Sequence, residues 1–141
     1  MIKLRPTDSL DVDDIRRIEE ASFSAPFSSD MFYGMLEGRP FGGLSAVEGE
    51  KLVGYLFYSI VMDEMELITV AVDGACRRRG IAKQLLSAML DIAAENGVKK
   101  LFLEVRSSNK AAQNLYRSFG FNDVSVRPKY YKDNNEDAIV M

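Results

Sequence analysis

The stretch ITVAVDGACRRRGIAKQLL, residues 68–86, holds the residues best placed to bind an anion. A strand-like run passes through a short polar turn to Gly80, after which apolar residues recur at helical spacing. The first-turn amides of a helix have no intrahelical partners and lie at the positive end of its dipole. Gly80 admits a ligand close to the backbone, and Arg77, Arg78, Arg79 and Lys83 add positive charge. The turn is a candidate phosphate cradle. It lacks the Gly-Lys-Ser/Thr ending of a Walker loop and the glycines of a dinucleotide fingerprint. A solvated basic helix start is the other reading of the same residues.

Proton-transfer chemistry has two candidates. In KLFLEVR, residues 100–106, alternation puts Leu101, Leu103 and Val105 on one face of a strand and Phe102, Glu104 and Arg106 on the other. With both faces covered, Glu104 is a carboxylate near the strand's carboxyl end, able to take a proton directly or through a water. An ion pair with a neighbouring cation is the plainer reading. Tyr116 lies on the helical stretch that follows, and its phenol is protonated at neutral pH and can donate. A core tyrosine with a satisfied hydroxyl is the plainer alternative there, as a helix cap is for Asn109. Cys76 precedes three arginines, but the chain has no histidine to activate it.

These groups need elements to hold them. Residues 2–6 alternate as a short strand closed by Pro6, and Asp11 is placed to cap a helix bearing Ile15, Ile18 and Phe23. Pro26 ends that helix, and Ser28 or Ser29 starts a second one through Met31, Met35 and Leu36. Strands are expected at 43–48 and 51–61, turning at Gly49-Glu50, and at 65–72. A long helix follows Gly80 to Asn96, with Gly97 as its left-handed end. A strand over 100–106 leads to a helix that Ser108 or Asn109 caps and Gly120 ends. Strands at 121–127 and 136–141 flank a polar loop holding Tyr130 and Tyr131. Such an order implies a mixed sheet with helices on both faces, an α/β or α+β domain. No repeat, linker or composition shift divides the chain, so residues 1–141 read as one domain.

Composition narrows the chemistry. The 141 residues include 18 basic and 21 acidic ones, for a net charge of −3, with one cysteine and no histidine. Without histidine there is no Ser-His-Asp triad and no His-ligated metal, and one cysteine forbids an intramolecular disulfide. Mild acidity argues against a broad nucleic-acid surface. The amino-terminal residues turn acidic where a secretion signal would be apolar, and no apolar run approaches the roughly 20 residues that span a bilayer. A cytoplasmic, metal-free protein is the expectation, with no nucleic-acid or membrane partner.

Arg77-x-x-Gly80-x-Ala82, LEVRSSNKAAQNLYRSFGF, RPKYY and the closing EDAIVM together resemble the GNAT family of N-acetyltransferases over essentially the whole chain. Within it they are most similar to enzymes that acetylate the N-terminal alanine of a ribosomal protein. The resemblance implies an α/β (α+β) GNAT-like fold, a mixed, mostly antiparallel seven-stranded sheet with about four helices on its two faces, and acetyl-CoA as donor, with no metal. Val70, Ala71 and Val72 would pair through their backbone with the pantetheine arm. Amides of Arg78, Arg79, Gly80, Ile81, Ala82 and Lys83 would hold the pyrophosphate, and Asn109 would touch the coenzyme. It places Glu104 as general base and Tyr116 as general acid, and a protein N-terminus, a ribosomal protein among the candidates, as acceptor. Ala82 replaces the commoner second glycine, and Phe27 stands where many relatives have Trp, which bears on the shape of the acceptor pocket. An α-amine of pKa about 7.7–8.0 reaches its neutral form about 3.4 kcal/mol more readily than a lysine at about 10.4, which suits a carboxylate base. A small-molecule amine, a lysine side chain or a non-catalytic acyl-CoA module are the competing readings. The loops Pro26–Met31 and Arg127–Tyr131 are expected to line the acceptor groove that would distinguish them.

Overall fold

Strand β1 (Ile2–Pro6) opens the chain traced by the computed structural model, which describes all of residues 1–141. A 3₁₀ turn, helix α1 (Val12–Ser22) and helix α2 (Ser29–Met35) follow. Next come β2 (Phe41–Glu48), β3 (Lys51–Val61), β4 (Glu64–Val72) and helix α3 (Ile81–Glu95). These lie in the first of two compact units, Met1–Lys100 and Leu101–Met141. Strands β1 to β4 form an antiparallel meander in chain order. Strand β5 (Lys100–Phe102) is fifth in that sheet's order and starts at the unit's last residue.

The helix caps follow local polar chemistry, with one exchange of roles. Ser28 caps α2, its Oγ accepting from the Met31 amide. Asp11, expected as the cap of α1, makes no such bond. Asp8 caps the preceding turn through the Leu10 amide, and the Asp11 carboxylate accepts from Arg5 at 2.7 and 2.8 Å and from Ser45 Oγ at 3.2 Å. A buried carboxylate must be paired, and Arg5 on β1 supplies the charge that a helix terminus only partly offers.

Strand β3 is buried on both faces, as its unbroken apolar run requires. Tyr55 and Phe57 point into a cluster with Val12, Ile15, Ile18, Phe32 and Met35 from α1 and α2. The ring of Phe32 is at its centre, 5.2 Å from Phe57 and 6.0 Å from Tyr55. Gly54 points the other way, toward Ile81 and Leu85 of α3. The period of two along β3 therefore sorts the helices, α1 and α2 to one side and α3 to the other. Two bulges interrupt the ladder, one leaving Val53 unpaired against β2 and one leaving Ile68 unpaired against β3. Bulges bend a strand and re-aim the residues beyond them.

The second unit contains β6 (Glu104–Arg106), α4 (Lys110–Ser118), β7 (Ser125–Tyr131) and β8 (Glu136–Val140). Its strands run in the order β6-β8-β7, all antiparallel. Two expectations change here. The strand expected over 100–106 is broken at Leu103, whose amide and carbonyl both bond to Met141 at 2.9 and 3.0 Å. The result is eight strands in sheets of five and three rather than one sheet of seven, within the same mixed α/β class. Strand β7 also lies later than expected and contains Tyr130 and Tyr131. Arg127 opposes Ala138 and Tyr131 opposes Glu136, so residues 128–130 bulge opposite Asp137. Lys129 takes φ of 52° and donates its amide to the Asp137 carboxylate at 2.9 Å. A bulged, polar strand has no alternation for a pattern to detect. No helix of the chain is long and apolar enough to cross a membrane.

A Cβ added at Gly54 would lie 3.2 Å from both the Ala71 carbonyl oxygen and Ile81 Cγ2. Gly54→Val is therefore expected to destabilise the protein by about 1–3 kcal/mol through overpacking, read as a lower urea midpoint.

Candidate functional site

In the first unit the candidate cradle is a turn followed by an uncapped helix. The chain leaves β4 at Val72, and the Asp73 amide bonds the Val53 carbonyl at 2.8 Å. The Asp73 carboxylate caps a 3₁₀ turn over residues 74–76 through the Ala75 amide at 3.1 Å. Cys76 is buried there, an ordinary packing residue. Arg78 and Gly80 then both adopt left-handed backbone, with φ of 65° and 76°. For an arginine that conformation costs roughly 1–2 kcal/mol, a strain that tends to persist at binding turns. The first ladder bond of α3 runs from the Gln84 amide to the Gly80 carbonyl, and no side chain caps the helix. The amides of Ile81, Ala82 and Lys83 thus precede the ladder, the arrangement that accepts an anion.

The side-chain charge is weaker than the triple arginine implies. Arg79 is paired through both terminal nitrogens with the Glu48 carboxylate at the end of β2. Arg77 turns its Nε toward the Val72 carbonyl at 3.5 Å. Backbone amides, more than guanidinium groups, make this turn a candidate for a diphosphate. Val70, Ala71 and Val72 lie directly upstream, opposite Leu56, Tyr55 and Gly54 of β3 and just past the bulge at Ile68.

In the second unit the carboxylate of Glu104 is held rather than isolated. Its Oε2 accepts from Arg127 at 2.9 Å and its Oε1 from the Tyr130 hydroxyl at 3.3 Å. The Arg127 guanidinium also stacks over the Tyr130 ring at 4.8 Å. The plainer reading of Glu104, a carboxylate paired with a neighbouring cation, describes this arrangement, and with one donor on each oxygen lone pairs remain. Tyr116 is buried on α4, edge-on to Phe121 at 6.1 Å. Burial, helped by the neighbouring Tyr131, pushes its phenol up to about 12. Tyr131 is likewise pushed up to about 12, by burial first, with the Arg106 charge pulling against it and Glu104 adding to it. Tyr131 thus interacts with both Tyr116 and Glu104.

Asn109 is the helix cap of α4, its Oδ1 accepting from the Ala112 amide at 3.1 Å. Its amide group is the part that remains for a ligand. Two organising residues left no clear mark in the sequence. Gln113, buried on α4, donates to the Arg106 and Ser107 carbonyls at 2.9 and 3.0 Å. Glu136 accepts from the Ser108 amide at 2.6 Å and from Arg106 at 3.3 Å. Its carboxyl is held at about 2, chiefly by the bond to Ser108. Both fasten the β6–α4 junction, and the only signal that could have found them was a polar residue on an otherwise apolar face.

The profile of the Acetyltransferase (GNAT) family matches residues 12–121, from the first compact unit into the second. The chain is 36% identical over 127 residues to ribosomal protein bS18-alanine N-acetyltransferase of Salmonella typhimurium, covering 89% of this chain and 85% of that one. It superposes on the crystal structure of the ribosomal-protein-S18-alanine N-acetyltransferase from Escherichia coli with a TM-score of 0.92 at 33% identity, covering all of this chain and 92% of that one. A GNAT family acetyltransferase from Elizabethkingia anophelis with acetyl-CoA bound shares the fold, with a TM-score of 0.80 at 20% identity over 99% and 95% of the two chains.

Glu136 has a folded value below its ordinary one, so its stabilising effect is present above about pH 4.5 and is lost as pH falls toward about 2. Glu136→Gln is expected to lower Tm by a constant amount above that window. The gap to wild type should close on acidification, as followed by thermal melts across pH.

Proposed function

This chain belongs to the GNAT acetyltransferase family, and from that premise we propose that it transfers acetyl from acetyl-CoA to the N-terminal α-amine of a protein, with a ribosomal protein as acceptor. The observation that carries this reading is identity near 35% over most of the chain with enzymes named for acetylating the alanine of ribosomal protein bS18. A ribosomal acceptor would make the cytoplasm its place of work. We take residues 1–141 to act as one catalytic domain, a reading supported by a family match that extends from the first unit into the second.

The residues present fit the donor. Amides of Arg78, Arg79, Gly80, Ile81, Ala82 and Lys83 would hold the diphosphate, a role supported by left-handed backbone at Arg78 and Gly80 and an uncapped α3. The backbone of Val70, Ala71 and Val72 would guide the pantetheine arm, and the Asn109 amide group would touch the coenzyme. Acetyl-CoA supplies an activated thioester, so the protein needs no nucleophile of its own, in keeping with the absence of histidine.

What this chain contributes is orientation and proton transfer. Orientation of amine and thioester can supply several kcal/mol. Glu104 would take the proton that the amine loses, directly or through a water. Arg127 and Tyr130 fix the carboxylate's direction. Tyr116 would give its Oη proton to the departing sulfur. With its phenol near 12, it is fully loaded with that proton at neutral pH.

The assay compares an Ala-initiated peptide, a lysine peptide with a blocked N-terminus and small amines, using wild type, Glu104→Gln and Tyr116→Phe. Both variants should bind acetyl-CoA as wild type does and lose about 10²–10⁴-fold in kcat on the Ala peptide. Unchanged turnover in both would remove the acid–base roles. Turnover confined to small amines would remove the peptide acceptor. In wild type, kcat should show no loss from phenol ionisation until pH nears about 12. A decline centred near 10, the ordinary tyrosine value, would contradict the buried acid.

A further inference from the structure

We infer that Glu19 is a positioning residue that fixes the acceptor-side segment between α1 and α2, and so sets affinity for the acceptor. The inference rests on the N-terminal acetyltransferase reading above. Glu19 is only 2% exposed, in the last turns of α1, and the acid–base chemistry does not use it. Its carboxylate gathers three donors from three parts of the first unit. Oε1 accepts from the Tyr55 hydroxyl on β3 and from Thr69 Oγ1 on β4 at 3.0 Å. Oε2 accepts from the backbone amide of Phe27 at 3.1 Å. Thr69 follows the bulged Ile68 and immediately precedes Val70, where the coenzyme arm is placed. Phe27 lies in the irregular residues 23–28, and its ring meets Phe32 edge-on at 6.1 Å.

One buried carboxylate therefore ties the start of the donor-binding strand segment to the backbone of the acceptor segment. The two ends of the tie are not equally dependent on it. Thr69 stays paired with Phe57 in the ladder whatever happens to Glu19. Phe27 belongs to no ladder, so its segment is the part that shifts. Glutamine keeps the shape of the side chain but offers one acceptor oxygen to three donors, so at least one of the Phe27 amide and the two hydroxyl protons loses its partner. A shift of the segment that would meet the peptide weakens peptide binding while the coenzyme's own contacts stay in place.

The test is Glu19→Gln in the full-length protein, with steady-state kinetics on an Ala-initiated peptide and amide hydrogen exchange over residues 23–28. Peptide KM should rise about tenfold while acetyl-CoA KM moves by less than about twofold, with faster exchange at Phe27. Ile15→Val softens the same cluster without touching the carboxylate, and should lower Tm while leaving peptide KM at the wild-type value. A Glu19→Gln protein with reduced Tm and unchanged peptide KM would overturn the inference, as would an equal rise in both KM values. If that variant does not fold, exchange in wild type decides: saturating peptide should slow the Phe27 amide, and no slowing would overturn the inference. Wild type that acetylates no N-terminal peptide would instead defeat the proposed function itself.

Discussion

The backbone of β3 at Gly54 lies against Ile81 and Leu85, an added Cβ there standing 3.2 Å from Ile81 Cγ2, and the turn into α3 is built on that contact. Because α3 sits so close to the sheet, its first turn is brought directly alongside the end of β4. The intervening residues 73–80 must then reverse within a short span. They do so with a 3₁₀ turn and two left-handed residues, Arg78 and Gly80. The same geometry leaves the amides of Ile81 to Lys83 outside the helix ladder. Unpaired donors at a helix start are a cost in an ordinary fold and a resource for a protein that binds a diphosphate.

Carboxylates act as fasteners between elements that are distant in sequence. Asp11 joins the start of α1 to β1 and β2 through Arg5 and Ser45. Glu19 joins α1 to β3, β4 and the Phe27 backbone. Glu136 joins β8 to the start of α4 through Ser108 and to β6 through Arg106. In each case the partners are specific and directional, whereas apolar packing alone tolerates small slides. Removing one partner of a buried set leaves the others without bonds, so these groups hold register more than they add net stability.

Glu104 belongs to the same pattern and departs from it in one respect. Its two oxygens meet Arg127 and Tyr130, both on β7, the bulged strand whose side chains are mostly exposed. A carboxylate held at an accessible edge is oriented and still reachable. Tyr116 is the opposite case, a phenol enclosed by the core of the second unit and kept protonated by that enclosure.

Local rules were enough for the helices and for the meander. Ser28, Asn109, Gly97 and Gly120 do at the helix ends what their types require, and the strands expected at 43–48, 51–61 and 65–72 fall on β2, β3 and β4. The polar turn before a helix at Gly80 was legible for the same reason, because unpaired first-turn amides are a property of neighbours in the chain, whereas the left-handed backbone of Arg78 and Gly80 was not. Only the tertiary structure decided the break at Leu103, the bulged course of β7 and the partners of every buried carboxylate. Each of these depends on a residue outside the same regular element: Met141 for Leu103, Asp137 for Lys129, Phe27 and Thr69 for Glu19. Periodicity reports which face of an element is buried, but hydrogen-bond partners are chosen by where the other elements come to rest.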